Sequence, residues 1–143
     1  MFLSDATSCG PFPVLEKMLA FTEARNKVLA ENIANITTPG YQSKQLDVKS
    51  FQQALRTATE QRGAGGKFEL EATEQYRVDD DGFLRVKPGV EPAENLLFHD
   101  GTNARIEREM SNLAENAMMH QAATELLKAY YDRIEKAISG RVV

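Results

Sequence analysis

Few residues in this chain have types and spacing that could do chemistry. They are the run Asp79-Asp80-Asp81-Gly82, the step Gly66-Lys67, the lone Cys9 and the two histidines His99 and His120. The acidic run resembles part of a calcium loop. Placing Gly82 at the invariant sixth position puts Arg77 at the first ligand position, and a cation cannot ligate calcium. Gly66-Lys67 resembles the end of a phosphate-binding loop. Gln61 stands where the first glycine belongs, and Phe68 where a hydroxyl must reach magnesium. One cysteine makes neither an intramolecular disulfide nor a cysteine-based zinc cage, and no neighbouring base activates it. The histidines lack metal-ligand spacing. Asn35-Ile36-Thr37 matches a glycosylation acceptor, but it falls at a helix end and reads as chance. No Ser/His/Asp or Cys/His arrangement can be assembled. The expectation is therefore no enzyme, no metal, no cofactor and no small-molecule ligand.

Composition narrows the classes further. The chain has 143 residues, one domain in length, and 42% of them are apolar, too many for a wholly disordered chain. The net charge is −4 with both signs interleaved, so no basic stripe exists to neutralise nucleic-acid phosphates. No apolar run is long enough to span a bilayer. The opening MFLSDATSCGPFPV lacks the cationic start and continuous apolar run of a secretory signal. A role outside the cytoplasm would call for export without a cleaved signal.

The elements that position these residues follow from punctuation and period. Gly10, Pro11 and Pro13 close a flexible leader, 1–13. Val14, Met18, Phe21, Arg25, Val28 and Asn32 then recur at steps of four and three, widened by Leu15, Leu19, Leu29, Ile33 and Ile36. This predicts an N-terminal helix over 14–38, its periodic part ending at 36. Thr38-Pro39-Gly40 is expected to stop it, because the residue before proline avoids helical geometry and glycine takes the left-handed turn.

A second helix is predicted over 102–141. Ile106, Met110, Leu113, Ala117, His120, Thr124, Leu127, Tyr131, Ile134 and Ile138 form an unbroken heptad seam on a rod about 50 Å long. Asn103 can cap its start, Glu107 and Glu109 suit its N-terminal dipole, and Gly140 with Arg141 suits its end. His120 and Thr124 read as a polar layer in the seam. Between the helices, 39–101 reads as an extended loop with a small hairpin. Tyr76-Arg77-Val78 and Phe83-Leu84-Arg85-Val86 flank the acidic turn, 56–72 is flexible around Gly63, Gly65 and Gly66, and Pro88-Gly89 with Pro92 makes a linker. Such a hairpin is marginal in water unless it rests on a neighbour.

The fold class is thus mainly α, two long terminal helices in a coiled-coil-like pair with a short irregular or β-hairpin middle. Helices 14–38 and 102–141 form a single assembly domain. The longer helix also carries Ala114, Met118, Ala122, Leu126 and Tyr130 beside its seam, more apolar surface than one chain can cover. The helices should pair with each other and then with further subunits, and a head-to-tail contact that does not close gives a helical filament.

The run Arg25 to Tyr41, with its core Asn32-Ile33-Ala34-Asn35-Ile36-Thr37-Thr38-Pro39-Gly40-Tyr41, resembles the signature of the bacterial flagellar rod and hook axial proteins. So do Gln42 to Phe51, with Asp47 and Phe51, then Ile106 to Ala123, and the ending Lys136-Ala137-Ile138-Ser139-Gly140-Arg141. The resemblance covers 14–55 and 97–141. The absence of a glycine-rich insertion after Thr37 separates the chain from the sister rod protein FlgC. Asp100 to Arg105 departs from the family pattern, since Arg105 stands where an acidic residue is usual.

The resemblance implies a structural subunit of the flagellar proximal rod. It would polymerise helically in the periplasmic basal body and join the inner-membrane ring and export gate to the distal rod. The terminal helices would correspond to the family's D0 pair. Implied partners are further copies of the chain, other rod proteins such as FlgC, FliE, the MS-ring protein FliF and the flagellar type III export gate, through which the chain would leave without a cleaved signal. The implied assembly residues on the first helix and its exit are Met18, Leu29, Asn32, Ile33, Asn35, Ile36, Pro39, Gly40 and Tyr41. On the second helix they are Ile106, Met110, Leu113, Ala117, Gln121, Thr124, Leu127, Tyr131, Ile134 and Ile138. The alternative, a soluble coiled-coil adaptor binding partner helices, explains the heptads but not the Asn-Ala-Asn…Thr-Pro-Gly-Tyr segment.

Overall fold

Two prolines set the start of the first helix, α1, which spans Phe12–Ala34. Pro11 sits at its N-cap with φ −79° and Pro13 lies in its first turn, where backbone N–H groups have no helical acceptor to lose. Residues expected in the leader therefore belong to the helix. The computed structural model describes residues 10–63, 67–90 and 106–140. Readings made for the leader before Gly10, Cys9, Gly65 and Gly66, Pro92, His99, Asp100 to Arg105 with its Asn103 cap, and Arg141 fall outside them.

The exit of α1 corrects the expected stop. The helix ends at Ala34, and Asn35 at the C-cap has φ −103° and ψ 9°, which is not left-handed. Asn35 ends it with its own side chain, whose Nδ2 donates to the Glu31 carbonyl at 2.9 Å. Short amides compete with the helical ladder in this way. Pro39-Gly40 makes a separate turn. Tyr41 N–H donates to the Thr38 carbonyl at 3.1 Å, and Gly40 takes φ +75°, as the third position of a type II turn with proline at the second requires.

A second correction concerns the middle. A helix, α2, spans Val48–Gly63 where the spacing of glycines predicts an extended, flexible stretch. Asp47 caps it, accepting from Ser50 N–H at 3.0 Å, and Phe51, Leu55 and Ala58 form its buried stripe. The hairpin stands as expected. β2 (Tyr76–Val78) pairs antiparallel with β3 (Leu84–Val86) in the register Tyr76↔Val86, Arg77↔Arg85, Val78↔Leu84. Strands β1 (Lys44–Gln45) and β4 (Gly89–Val90) form a second short pair.

The core lies between α1 and this middle region. Phe21, Val28, Leu46, Phe51, Leu55 and Tyr76 are buried together. The Phe21 and Phe51 rings stack at 3.8 Å, and Tyr76 meets them edge-on at 6.4 and 5.3 Å. The hairpin, marginal alone, is held because Tyr76 seats it on α1 and Lys17 Nζ donates to the Gly82 carbonyl at its apex.

The long C-terminal helix, α3 (Ile106–Ser139), runs antiparallel along the opposite side of α1. Asn32 faces Glu109, Thr22 faces Asn116 and His120, and Phe12 meets Tyr131 edge-on at 5.9 Å. At about 51 Å against 35 Å for α1, it runs past the first described residue of the chain. Gly10 marks that end. Its φ is +74°, which favours glycine, and a Cβ there would lie 2.8 Å from the Tyr130 hydroxyl, so that ring would have to shift.

The phase of the α1–α3 seam differs from the predicted heptad. The residues of α3 fully buried against α1 are Glu109, Asn116 and Ala123. Leu113, Leu127 and Ile134 are half-buried, while Ile106, Met110, Ala117, His120, Gln121, Thr124, Tyr131 and Ile138 are exposed. The physical reason lies in α1. Its apolar face is covered by the middle region, so the stripe left for α3 carries Thr22, Arg25, Leu29 and Asn32, and polar or small residues of α3 answer it.

Candidate assembly interface

The asparagine segment is an internal pin. Asn32 is completely buried, and its amide makes four hydrogen bonds. Nδ2 donates to the Lys44 carbonyl at 2.8 Å and to Glu109 Oε2 at 2.9 Å, while Oδ1 accepts from Lys44 N–H and from the Tyr41 hydroxyl, each at 3.0 Å. Both donors and both lone pairs are used, so no other side chain would fit without loss. One residue thus ties α1, the type II turn, β1 and α3 together. Burial, with the Glu31 carboxylate nearby, pushes the Tyr41 hydroxyl above its ordinary value and keeps it a donor. The Lys44 ammonium pairs with Glu31, whose hydrogen bond raises the lysine in turn.

Of the residues expected at an assembly interface, Leu29 and Asn32 are buried inside the chain, and Met18 packs half-buried beside the aromatic core. Ile33, Asn35, Ile36 and Tyr41 are half-buried around the exit of α1, and Pro39 and Gly40 are exposed. The polar layer moves as well. Thr124 turns back on its own helix, donating to the His120 carbonyl at 2.8 Å. His120 Nδ1 lies 2.8 Å from Thr22 Oγ1, and since that hydroxyl donates to the Leu19 carbonyl at 3.0 Å, it accepts the imidazole N–H.

The true polar layer centres on Arg25, Glu109 and Asn116, of which only Arg25 stands in the predicted stripe. Asn116 Nδ2 donates to the Thr22 carbonyl at 2.8 Å. Arg25 is 8% exposed, and its Nη2 stands 3.8 Å from Glu115. Burial holds this guanidinium below its ordinary value, against the opposing pull of Glu115 and Glu109. Arg25 Nη1 and Asn116 Oδ1 have no hydrogen-bond partner among the described residues. A cleft of about 170 Å³ lined in part by Arg25 opens between α1, β1 and α3.

The outer surface of α3 is apolar to an unusual degree. Met110, Met118, Leu126 and Ile138 are 57, 66, 60 and 75% exposed. Around the helix they fall on two flanks, Ile106-Met110-Ala117-Thr124-Tyr131-Ile138 on one and Met118-Ala122-Leu126 on the other. Past the end of α1, Tyr131, Ile134 and Ile138 line an apolar hollow of about 370 Å³. A solvated helix does not carry two such stripes, and large exposed apolar patches mark contact surfaces. Among the described residues no group of His, Cys, Asp and Glu could hold a metal ion, and no helix is long and apolar enough to cross a membrane.

No family model matches the chain. Individual proteins do. Over 135 residues it is 28% identical to the flagellar basal body rod protein FlgB of Bacillus subtilis (strain 168), covering 92% of this chain and 95% of that protein. It is 30% identical over 118 residues to the protein of the same name from Proteus mirabilis (strain HI4320), covering 78% and 80% of the two chains. With the one from Aeromonas hydrophila it shares 26% over 129 residues, covering 90% and 92%.

Proposed function

The chain belongs to the flagellar basal body rod proteins FlgB, and from that premise we propose that it is a structural subunit of the proximal rod. It polymerises helically and joins the inner-membrane ring and export gate to the distal rod. The observation that carries this reading is the outer face of α3, two apolar stripes that the chain's own α1 does not cover. In the assembly these stripes lie against helices of neighbouring subunits. The exit of α1, from Ile33 to Tyr41, faces the next subunit with Pro39 and Gly40 outermost. Helices α1 and α3, with the middle region seated on α1, act as one assembly unit.

The proposed neighbours are further copies of the chain, FlgC, FliE and the ring protein FliF. The proposed place is the periplasmic part of the basal body, reached through the flagellar type III export gate without cleavage of a signal. The role is mechanical and not catalytic.

The test uses Met110→Asp and Ile138→Asp, both at exposed positions. Each puts a charge into a contact that must lose water, at a cost of several kcal/mol. Motility and recovery of the chain in purified basal bodies should be lost, with the far-ultraviolet circular dichroism of the isolated chain unchanged. Normal swarming of both variants would overturn the assignment. Sedimentation adds a second check, since an adaptor would stop at a dimer or trimer where a rod subunit does not close.

A further inference from the structure

The side that α3 turns toward α1 outlasts α1. Ala123 is buried there, and Leu127 and Ile134, four and eleven residues on, fall on the same side and are half-buried. The α1 partner runs out at this height. Gly10, the first described residue, lies so close to the Tyr130 ring that a Cβ on it would stand 2.8 Å from the hydroxyl. One residue further along α3 begins the apolar hollow of Tyr131, Ile134 and Ile138. Because the two helices are antiparallel, the stretch that would continue the pair over this hollow is the one that precedes Gly10.

Its composition suits the place. Met1, Phe2 and Leu3 are the large apolar residues of that stretch, and Ser4 to Cys9 are small or short side chains that make a tether. From Gly10 back to Phe2 the extended chain reaches about 26 Å, while Tyr130 to Ile138 is about 12 Å of helix. The reach covers the hollow with slack. A tether this short keeps its apolar end over the hollow at a local concentration of about millimolar, which favours the chain's own residues over those of a second copy.

We propose that residues 1–9 form a strap, with Phe2 and Leu3 seated in the hollow of Tyr131, Ile134 and Ile138 of the same chain. The strap closes the open end of the α1–α3 pair and leaves the outward sides of the two apolar stripes to neighbouring subunits. The contact is internal to one chain and holds whether or not that chain enters a rod.

The experiment pairs cysteines within one full-length chain in a Cys9→Ser background. Leu3→Cys is combined with Glu135→Cys, which lines the hollow, and the dilute chain is oxidised mildly. An intrachain disulfide should form at least about tenfold faster than with Arg133→Cys, which stands at the same height on the opposite face of α3. Ser139→Cys, also in the lining, replaces Glu135→Cys if the latter does not fold. Ile134→Asp should bring the two rates together, because it puts a charge into the seat of Phe2 and Leu3. Equal rates without that change overturn the strap, as does an advantage that survives it. A disulfide-linked dimer formed in preference to the intrachain product also overturns it, assigning the hollow to a second copy.

Discussion

The two sides of α1 are made of different materials. On one side Phe21, Phe51 and Tyr76 form a dry aromatic cluster. On the other, Thr22, Arg25 and Asn32 meet Glu109, Asn116 and His120 of α3. Burial of large apolar rings stabilises strongly and has little directional demand. A hydrogen-bonded seam contributes about 0.5–1.5 kcal/mol per bond and tolerates only one alignment, because each misplaced partner leaves a buried polar group unmade. The middle region is therefore fastened to α1 by strength, and α3 by register. For a helix that must present its outer face at a fixed height, register is the more useful property.

The contrast can be broken by measurement. Phe51→Ala should cost about 3–5 kcal/mol in thermal or denaturant unfolding. Asn32→Ala, which strips partners from Lys44, Tyr41 and Glu109, should cost about 2–3 kcal/mol, more than one ordinary hydrogen bond. Asn116→Ala should cost only about 1 kcal/mol, since half of its amide is unpaired already. A loss at Asn116 equal to that at Phe51 would remove the distinction between the two sides. Leu126→Ser, on the outer face and 60% exposed, should change stability by less than about 1 kcal/mol while still impairing motility.

Acid should act on the hairpin only weakly. Burial pushes the Asp79 carboxyl up, but the Phe83 N–H and Arg85 outweigh it and hold it below its ordinary value. A depressed folded value means a contribution that is complete above the ordinary carboxylate range and lost as pH falls through the lower folded value. Amide exchange at Phe83 and Gly82 should therefore quicken only below that range.

Much of this was legible in residue order. The hairpin strands, the two long terminal helices and the surplus apolar surface of α3 all follow from period and punctuation. The phase of the α1–α3 seam did not, because the strongest apolar heptad on α3 belongs to its outer flank. Finding the inner one requires knowing that Phe51 and Tyr76, distant in the chain, already cover the apolar face of α1. Helix α2 was hidden by the neighbouring glycines, although Asp47 before Val48, Phe51 and Leu55 is a cap followed by a stripe. The role of Asn32 was half visible. It stood in the predicted stripe and in the family-like run, but only the return of Tyr41 and Lys44 through the type II turn reveals four partners.

The overhang of α3 carries a mechanical consequence. The helix is clamped at one point by Asn32 against Glu109 and at another by Gly10 against Tyr130 and Phe12 against Tyr131. Between those clamps it is a beam on two supports, with little freedom to bend or slide. Asp132 to Ser139, about two turns, lie beyond those clamps. Bending of α3 under load concentrates beyond the second clamp, where α1 supplies no further pin.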